Sequence, residues 1–520
     1  MQGDIKMSSR TRNFFLNFIA LTVTALVMRG VGVIFNVYVS NKAGAEAMGL
    51  YSLLGGIYMF AVTVGCANIN LGTTRVISDA MGTNNYSLAK KTAKKALKCA
   101  LISSTLATII LFFAAEFIGE KILYDMRIVR PLRILAVSLV PVALCSCLSG
   151  YFTAVRRVKA ISAIQICVQL SKIIITSLLL SVFIDKGAEY ACIALVLGAV
   201  LSEFLSLLCI YFLYRSDSTK NLGKPSPSYP SDKSITKNIL SITVPVTFSA
   251  CIRSGLTTVQ HILIPKGIKA SGKSWSAALA SYGILHSMVM PVILFPSAFI
   301  TSFSGLLIPE VTECRVQNDN ERLSRLSYRI ITLSLFFSIG VSGIMIFYSY
   351  GLGTSIYNSD QAAYYIRLMA PLIPVMYIDS ALDAVLKGMG HEIYSMNVNI
   401  ADALTACILA FVLIPRMGIM GYVISIYSTE ILNTSLSLFK MISVTKMKFK
   451  LAHQIVMPII CIVGATNISH FLLRPTNISS TSLNVTVHIL LSVLLYVGLL
   501  CATQTVGKDE KEVIHFALKK

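Results

Sequence analysis

Two arginines stand where an arginine is costly. Arg29 falls inside the apolar run around V-M-R-G-V-G, and Arg253 inside a second one around I-R-S-G-L. An ionisable side chain at membrane depth is a functional residue by default, because hydrocarbon does not solvate its charge. A guanidinium presents a planar fork of donors that can hold a phosphate group bidentately. Two such forks facing one cavity would hold a substrate bearing a pyrophosphate and would repel a lipophilic cation. The competing reading gives each arginine a structural carboxylate partner, such as Glu203 or Asp383.

Other residues offer weaker chemistry. His286 follows Tyr282 by one helical turn, so the two share a face and could line the same cavity, although a lone histidine also serves as hydrogen-bonded packing. Asp379, Asp383 and Lys387 recur at i, i+4 and i+8 and form one stripe that compensates its own charge. It could bind a coupling cation, gate one end of a pathway, or simply hold a helix. Glu203 and Glu430 are two further carboxylates in apolar surroundings, open to the same coupling or gating roles. Asn397, Asn399, Asp402, Gln165, Gln169 and Lys172 are lesser candidates. Arg75 and the helically spaced Lys90, Lys91, Lys94, Lys95 and Lys98 would attract anionic headgroups, each worth about 1 kcal/mol. They could draw an anionic lipid to an entrance or could serve topology alone.

The elements that must position these residues are membrane helices. Of 520 residues, 55% are hydrophobic and 13% charged, with a mean hydropathy of +0.72. An ordinary soluble chain carries about 25% charged residues. Apolar segments recur at 13–39, 50–76, 95–118, 131–155, 161–184, 189–214, 238–265, 276–308, 327–350, 364–388, 394–415, 419–440, 452–473 and 484–506. Each is long enough for ~30 Å of hydrocarbon. The expected fold is all-α and polytopic, with about 14 transmembrane helices. Most Lys and Arg collect on one side if both termini are cytoplasmic, as the positive-inside rule requires. That side receives Arg75, the lysines from 90 to 98, Arg156, Arg157, the 215–237 linker, Arg315 to Arg329, Lys387, Lys440 to Lys450 and the tail.

Several function classes drop out. The net charge of +21 lies at the ends of apolar segments, so it does not indicate nucleic-acid binding. Eight of the twelve cysteines, from Cys99 to Cys461, fall inside apolar stretches and suit helix packing. Cys145 and Cys147 lack metal spacing, and no His pair accompanies them. Residues 267–274, G-I-K-A-S-G-K-S, fit the P-loop pattern letter for letter. A membrane segment precedes them where a β-strand is required, and no room exists for a nucleotide domain, so the match is coincidental. His391-Glu392 does not continue to H-E-x-x-H. No nucleophile–base pair, resident metal or cofactor is expected, and no cleavable signal peptide is visible. The chain reads as a non-enzyme. A polytopic glycosyltransferase or polymerase would need acidic residues in a sizeable outer loop, and loops such as 40–49 and 185–189 are too short.

The halves of the chain resemble each other. Arg29 pairs with Arg253, Tyr51-Ser-Leu-Leu with Tyr282-Gly-Ile-Leu, Pro141 after R-I-L-A with Pro374 after R-L-M-A, and Glu203 with Glu430. Six spans per half preserve orientation, so the repeat is parallel about an axis along the membrane normal. The expected division is an N-terminal lobe at 1–214, a Ser- and Pro-rich linker at 215–237, a C-terminal lobe at 238–443, and two extra spans with a tail at 444–520.

The run R-N-F-F-L-N-F-I-A-L-T-V-T-A-L-V-M-R-G-V-G, followed by A-M-G-L-Y-S-L-L, resembles the multidrug/oligosaccharidyl-lipid/polysaccharide (MOP) exporter superfamily. Within it, the chain is similar to the polysaccharide-exporting, stage V sporulation protein B-like branch, related to the lipid II flippase MurJ. The resemblance implies two six-helix lobes around a central cavity, with two extra C-terminal helices, in a bacterial plasma membrane. It implies export of an undecaprenyl-pyrophosphate-linked sugar for cell wall or spore cortex, beside cell-wall synthesis enzymes, driven by a coupling ion (Na+ or H+) or by the membrane potential. MurJ-like flippases keep arginines in the first and eighth spans. Arg29 matches one of these; the second first-span position is Phe35 here, followed by Asn36; the eighth-span position corresponds to His286. The drug-exporting branch tends to carry a carboxylate in its first or seventh span, where this chain has Arg29 and Arg253. A cation-coupled multidrug antiporter is the alternative within the superfamily.

Overall fold

In the computed structural model the described residues are 9–83, 85–155, 157–221, 232–447, 452–473 and 481–503. Residues 222–231 of the linker, Arg156, Lys448, Lys450 and the tail from 504 lie outside them, as do the side chains of 9–26. The described residues are helical and contain no strand.

The helices, in chain order, are α1 (Ser9–Cys66), α2 (Ile69–Gly82), α3 (Tyr86–Phe117), α4 (Val129–Val137), α5 (Leu139–Ala154), α6 (Val158–Phe183), α7 (Ala188–Asn221), α8 (Asp232–Ala270) and α9 (Trp275–Gly283). After a π-turn at Ile284–Val289 come α10 (Met290–Leu294), α11 (Ser297–Val316), α12 (Asn320–Phe347), α13 (Ser349–Tyr357), α14 (Asp360–Met369), α15 (Ile373–Gly388), α16 (Glu392–Met417), α17 (Ile419–Thr445), α18 (Met457–Leu473) and α19 (Thr481–Ala502). Among the described residues, 12 helical stretches are long and apolar enough to cross a membrane. The expected count of about 14 is not confirmed among them, the 56 residues of Val27–Gly82 being counted as one stretch. Segment 13–39 and the first part of segment 50–76 lie on α1, which ends at Cys66 and is kinked at Gly44 (φ 81°). The segment 419–440 lies on α17, where Ser425, Ser428, Thr429, Glu430 and Asn433 dilute the hydropathy.

Polar side chains set where helices begin. Asn85 accepts from the Leu88 amide at α3, Asp319 from Arg322 at α12 and Ser359 from Ala362 at α14. The second expected segment is not continuous. It breaks at Ala67 and Asn68, both left-handed, where Asn tolerates the conformation and donates from Nδ2 to Thr247. Pro141 and Pro374 each stand in the first turn of a helix, α5 and α15, where a missing N–H costs nothing.

The helices pack as two compact units. The first comprises Tyr38–Gly283 with Ala410–Gly418. In it α2 packs on α3, α5 and α8 around Ile69, Val76, Ala96, Ala100, Ala143, Cys147, Ile235 and Ile239. Hydroxyls join the second and seventh expected segments: Thr63 donates to Ser254, and Thr258 to the Gly56 carbonyl. The second unit comprises Met1–Val37, Ile284–Leu409 and Ile419–Lys520. There α15 packs on α11, α12 and α17, while α18 packs on α12 and α19.

Candidate functional site

Arg29 sits in the second unit beside an interruption in the eighth expected segment. Pro296 has no N–H, and α10 ends at Leu294. The chain restarts with shorter turns: the Ala298 amide bonds the Phe295 carbonyl and the Phe299 amide bonds the Pro296 carbonyl. In a regular helix the Ala298 amide would have gone to Leu294. The freed Leu294 carbonyl accepts instead from the Ser297 hydroxyl at 2.7 Å and from Arg29 Nη2 at 3.2 Å. Arg29 Nη2 also reaches the Ser297 hydroxyl oxygen at 3.4 Å. The Ile293 carbonyl accepts from the Tyr377 hydroxyl at 2.5 Å. Tyr377 is fully buried and stacks on Phe337, which stacks on Phe299. The Phe295 ring lies beside Gly30 of the first helix.

The hydrogen bonds of Arg29 thus go to neutral oxygens, and among the described residues it forms no ion pair with a carboxylate. The pairing with Asp383 considered from the sequence is not present: Asp383 bonds Lys387 Nζ at 2.5 Å and the Ser395 hydroxyl. The guanidinium remains exposed. Asn36 is half-buried two turns further along the same helix. His286 is half-buried in the π-turn.

The second unit also gathers carboxylates. Asp379 on α15 accepts from Asn433 on α17 at 3.3 Å, and its other oxygen is buried with no hydrogen-bond partner. The charges of Asp383, Asp402 on α16 and Lys387 act on it, and it acts on Glu430 of α17. Asp383 and Lys387 form an ion pair, while Asp379, Asp402 and Glu430 are partly buried carboxylates on three helices.

The first unit holds the remaining candidates. Arg253 is exposed on α8, and among the described residues its guanidinium makes no hydrogen bond or ion pair. Tyr282 is fully buried, and its hydroxyl lies 2.6 Å from His261 Nδ1. Glu203 on α7 is half-buried and feels the charge of Lys172 on α6. Arg75 and Lys94 are exposed, and Lys90 and Lys91 half-buried, while the opposite face of α3 buries Ala89, Thr92, Ala93 and Ala96. Arg29 and Arg253 belong to different units, so each is described in its own surroundings.

The sequence shows Pro296 inside an apolar run, where neighbouring groups must satisfy freed carbonyls, but not Tyr377 as one of those neighbours. Sequence reasoning also missed a polar cluster in the first unit. Asp125, 7% exposed, accepts from Arg127 Nη2 at 2.8 Å and from the Trp275 indole at 2.6 Å. Arg127 Nη1 reaches Glu46 at 2.9 Å. Burial alone would raise the Asp125 carboxyl, but the donors on Arg127 and Trp275 hold it below the ordinary carboxylate range.

Residues 14–314 match the family described as polysaccharide biosynthesis protein, and residues 271–412 match MatE. Stage V sporulation protein B of Bacillus subtilis (strain 168) is 25% identical over 509 residues, covering 96% of this chain and 97% of the relative. Among solved structures, the lipid II flippase MurJ in its inward closed conformation aligns with TM-score 0.69 at 14% identity, covering 94% of this chain and 99% of that one. A multidrug resistance MATE family transporter of the MOP superfamily, inward-facing, aligns with TM-score 0.60 at 15% identity, covering 81% and 96%.

Proposed function

This chain belongs to the polysaccharide biosynthesis protein family of the MOP exporter superfamily, and from that premise we propose that it is a flippase for a lipid-linked oligosaccharide. It is a multi-pass membrane transporter; the cargo is the proposed part. We assign it an undecaprenyl-pyrophosphate-linked unit of the lipid II kind, supplied and consumed by cell-wall or spore-cortex enzymes. Arg29 and Arg253 are each assigned as a pyrophosphate ligand, His286, Asn36 and Tyr282 as further substrate residues, and Arg75, Lys90, Lys91 and Lys94 as the residues that draw the anionic lipid in at the cytoplasmic side. The prenyl tail stays in lipid while access alternates. Both termini lie in the cytoplasm.

The observation that carries this reading is the charge of Arg29. It lies in an apolar helix and is oriented by a carbonyl and a hydroxyl, neither of which neutralises it. Its full positive charge is left for a substrate anion, which suits a pyrophosphate and opposes a lipophilic cation. Asp379, Asp402 and Glu430 are the groups proposed to couple transport to a cation, Na+ or H+, with the membrane potential as the other drive.

A second reading has its own support. The MatE match over 271–412 includes Asp379 and Asp402, and a carboxylate cluster also suits a cation-coupled drug antiporter. Proteoliposomes holding the full chain separate the two. The flippase reading expects fluorescent lipid II to cross in excess of empty liposomes, with no efflux of a lipophilic dye cation. Dye efflux without lipid movement would favour the antiporter.

A further inference from the structure

The interruption at Phe295–Pro296 does more than bend a helix. A Pro inside an apolar helix leaves carbonyls that hydrocarbon cannot satisfy, so neighbouring side chains must. Here two of the carbonyls at the break, those of Ile293 and Leu294, have specific side-chain partners. The Tyr377 hydroxyl bridges to the interrupted helix by giving its proton to the Ile293 carbonyl. The Ser297 hydroxyl turns back on the Leu294 carbonyl, and this pair of oxygens receives Arg29 Nη2. An arginine side chain has several rotatable bonds, and fixing them costs rotamer entropy. Two fixed oxygens meet part of that cost before any substrate arrives.

We infer that Tyr377 and Ser297 are positioning residues, which hold the interrupted helix open so that the Leu294 carbonyl and the Ser297 hydroxyl aim the Arg29 guanidinium at a substrate pyrophosphate. This rests on the proposed role of Arg29 as a pyrophosphate ligand. Tyr377 and Ser297 act through Arg29 and do not themselves touch the substrate. Because Nη2 is occupied by the protein, Nε and Nη1 are the atoms left for the ligand.

Two readouts on the full chain in nanodiscs test it. The first needs no substrate: the rate at which phenylglyoxal labels Arg29, read by peptide mass spectrometry with Arg253 as internal control. Tyr377→Phe and Ser297→Ala release Nη2 and should speed labelling of Arg29 several-fold while Arg253 is unchanged; Ser297→Thr, which keeps the hydroxyl, should restore the slow rate. The second is the Kd for undecaprenyl pyrophosphate. Ser297→Ala should weaken it several-fold, but should weaken it no further once Arg29 is already Ala, as expected of a residue that acts through another. Unchanged labelling in both variants, or fully additive losses in the double variant, would overturn the inference. Faster labelling in the two variants, together with no binding of undecaprenyl pyrophosphate by the wild type, would leave the positioning intact and remove the substrate reading instead.

Discussion

Trp275 donates its indole N–H to Asp125 at 2.6 Å, joining residues 150 positions apart in the first unit. Asp125 also caps the short turn at Met126–Ile128 and holds Arg127, which reaches Glu46 at the start of the second expected segment. One buried carboxylate thereby ties together the ends of three helical hairpins. Trp275 is the only tryptophan in the chain, so its fluorescence reports this cluster alone.

Asp125→Ala should lower stability by about 2–4 kcal/mol, because it leaves Arg127 and the indole without their acceptor. Thermal unfolding in detergent, followed by Trp275 emission, should show a midpoint several degrees lower and a shifted emission maximum before melting. An unchanged midpoint would mean that the cluster is solvated and contributes little.

The same carboxylate sets a pH dependence. Its pKa in the folded protein lies below the ordinary value of 3.8, so its stabilisation is complete above that value and is lost as pH falls through the folded pKa. The difference in unfolding midpoint between wild type and Asp125→Asn should be constant from pH 8 to about pH 5 and should shrink below about pH 4. A difference that instead grew on acidification would contradict the assignment.

Helix packing in the first unit is close enough to forbid a methyl group. A Cβ on Gly49 would lie 2.0 Å from the Leu279 carbonyl oxygen. Gly49→Ala must therefore push α9 away, at a cost of about 1–3 kcal/mol. Expression level and melting midpoint should both fall, whereas Gly55→Ala, which meets open space, should leave both unchanged.

Asp379→Asn and Glu430→Gln should remove the response of transport to an imposed ion gradient more than they reduce transport without one. Proteoliposomes with pH or Na+ gradients measure this. Variants that keep the full gradient response would assign these carboxylates to structure.

Legibility followed the range of the interaction. Helices, apolar runs and the cost of a charge among them are local properties, so the all-α membrane fold was readable, and Arg29, Arg253 and Asp379 stand out as candidates by that cost alone. The partners of those residues were not. Arg29 meets a carbonyl 265 residues away, released by a proline whose effect on its own ladder depends on Tyr377. The i, i+4 stripe was seen correctly as a spacing, yet its members divide because α16 and α17 supply Ser395 and Asn433 to different carboxylates. Tyr282 and His286 lie one turn apart in sequence, but a π-turn starts between them and Tyr282 is committed to His261. The boundary between the first two expected segments was not legible for a similar reason: Gly44 turns the chain within one continuous helical run.

The central claim is that uncompensated intramembrane arginine charge moves a pyrophosphate-linked lipid. The most direct test is the initial rate of fluorescent lipid II translocation in proteoliposomes, for wild type, Arg29→Ala and Arg253→Ala at equal, folded protein density. The account predicts translocation by wild type and a loss of at least tenfold in each variant, a difference of about 1.4 kcal/mol or more. Translocation at the wild-type rate by both variants would contradict it and place the substrate site elsewhere in the chain.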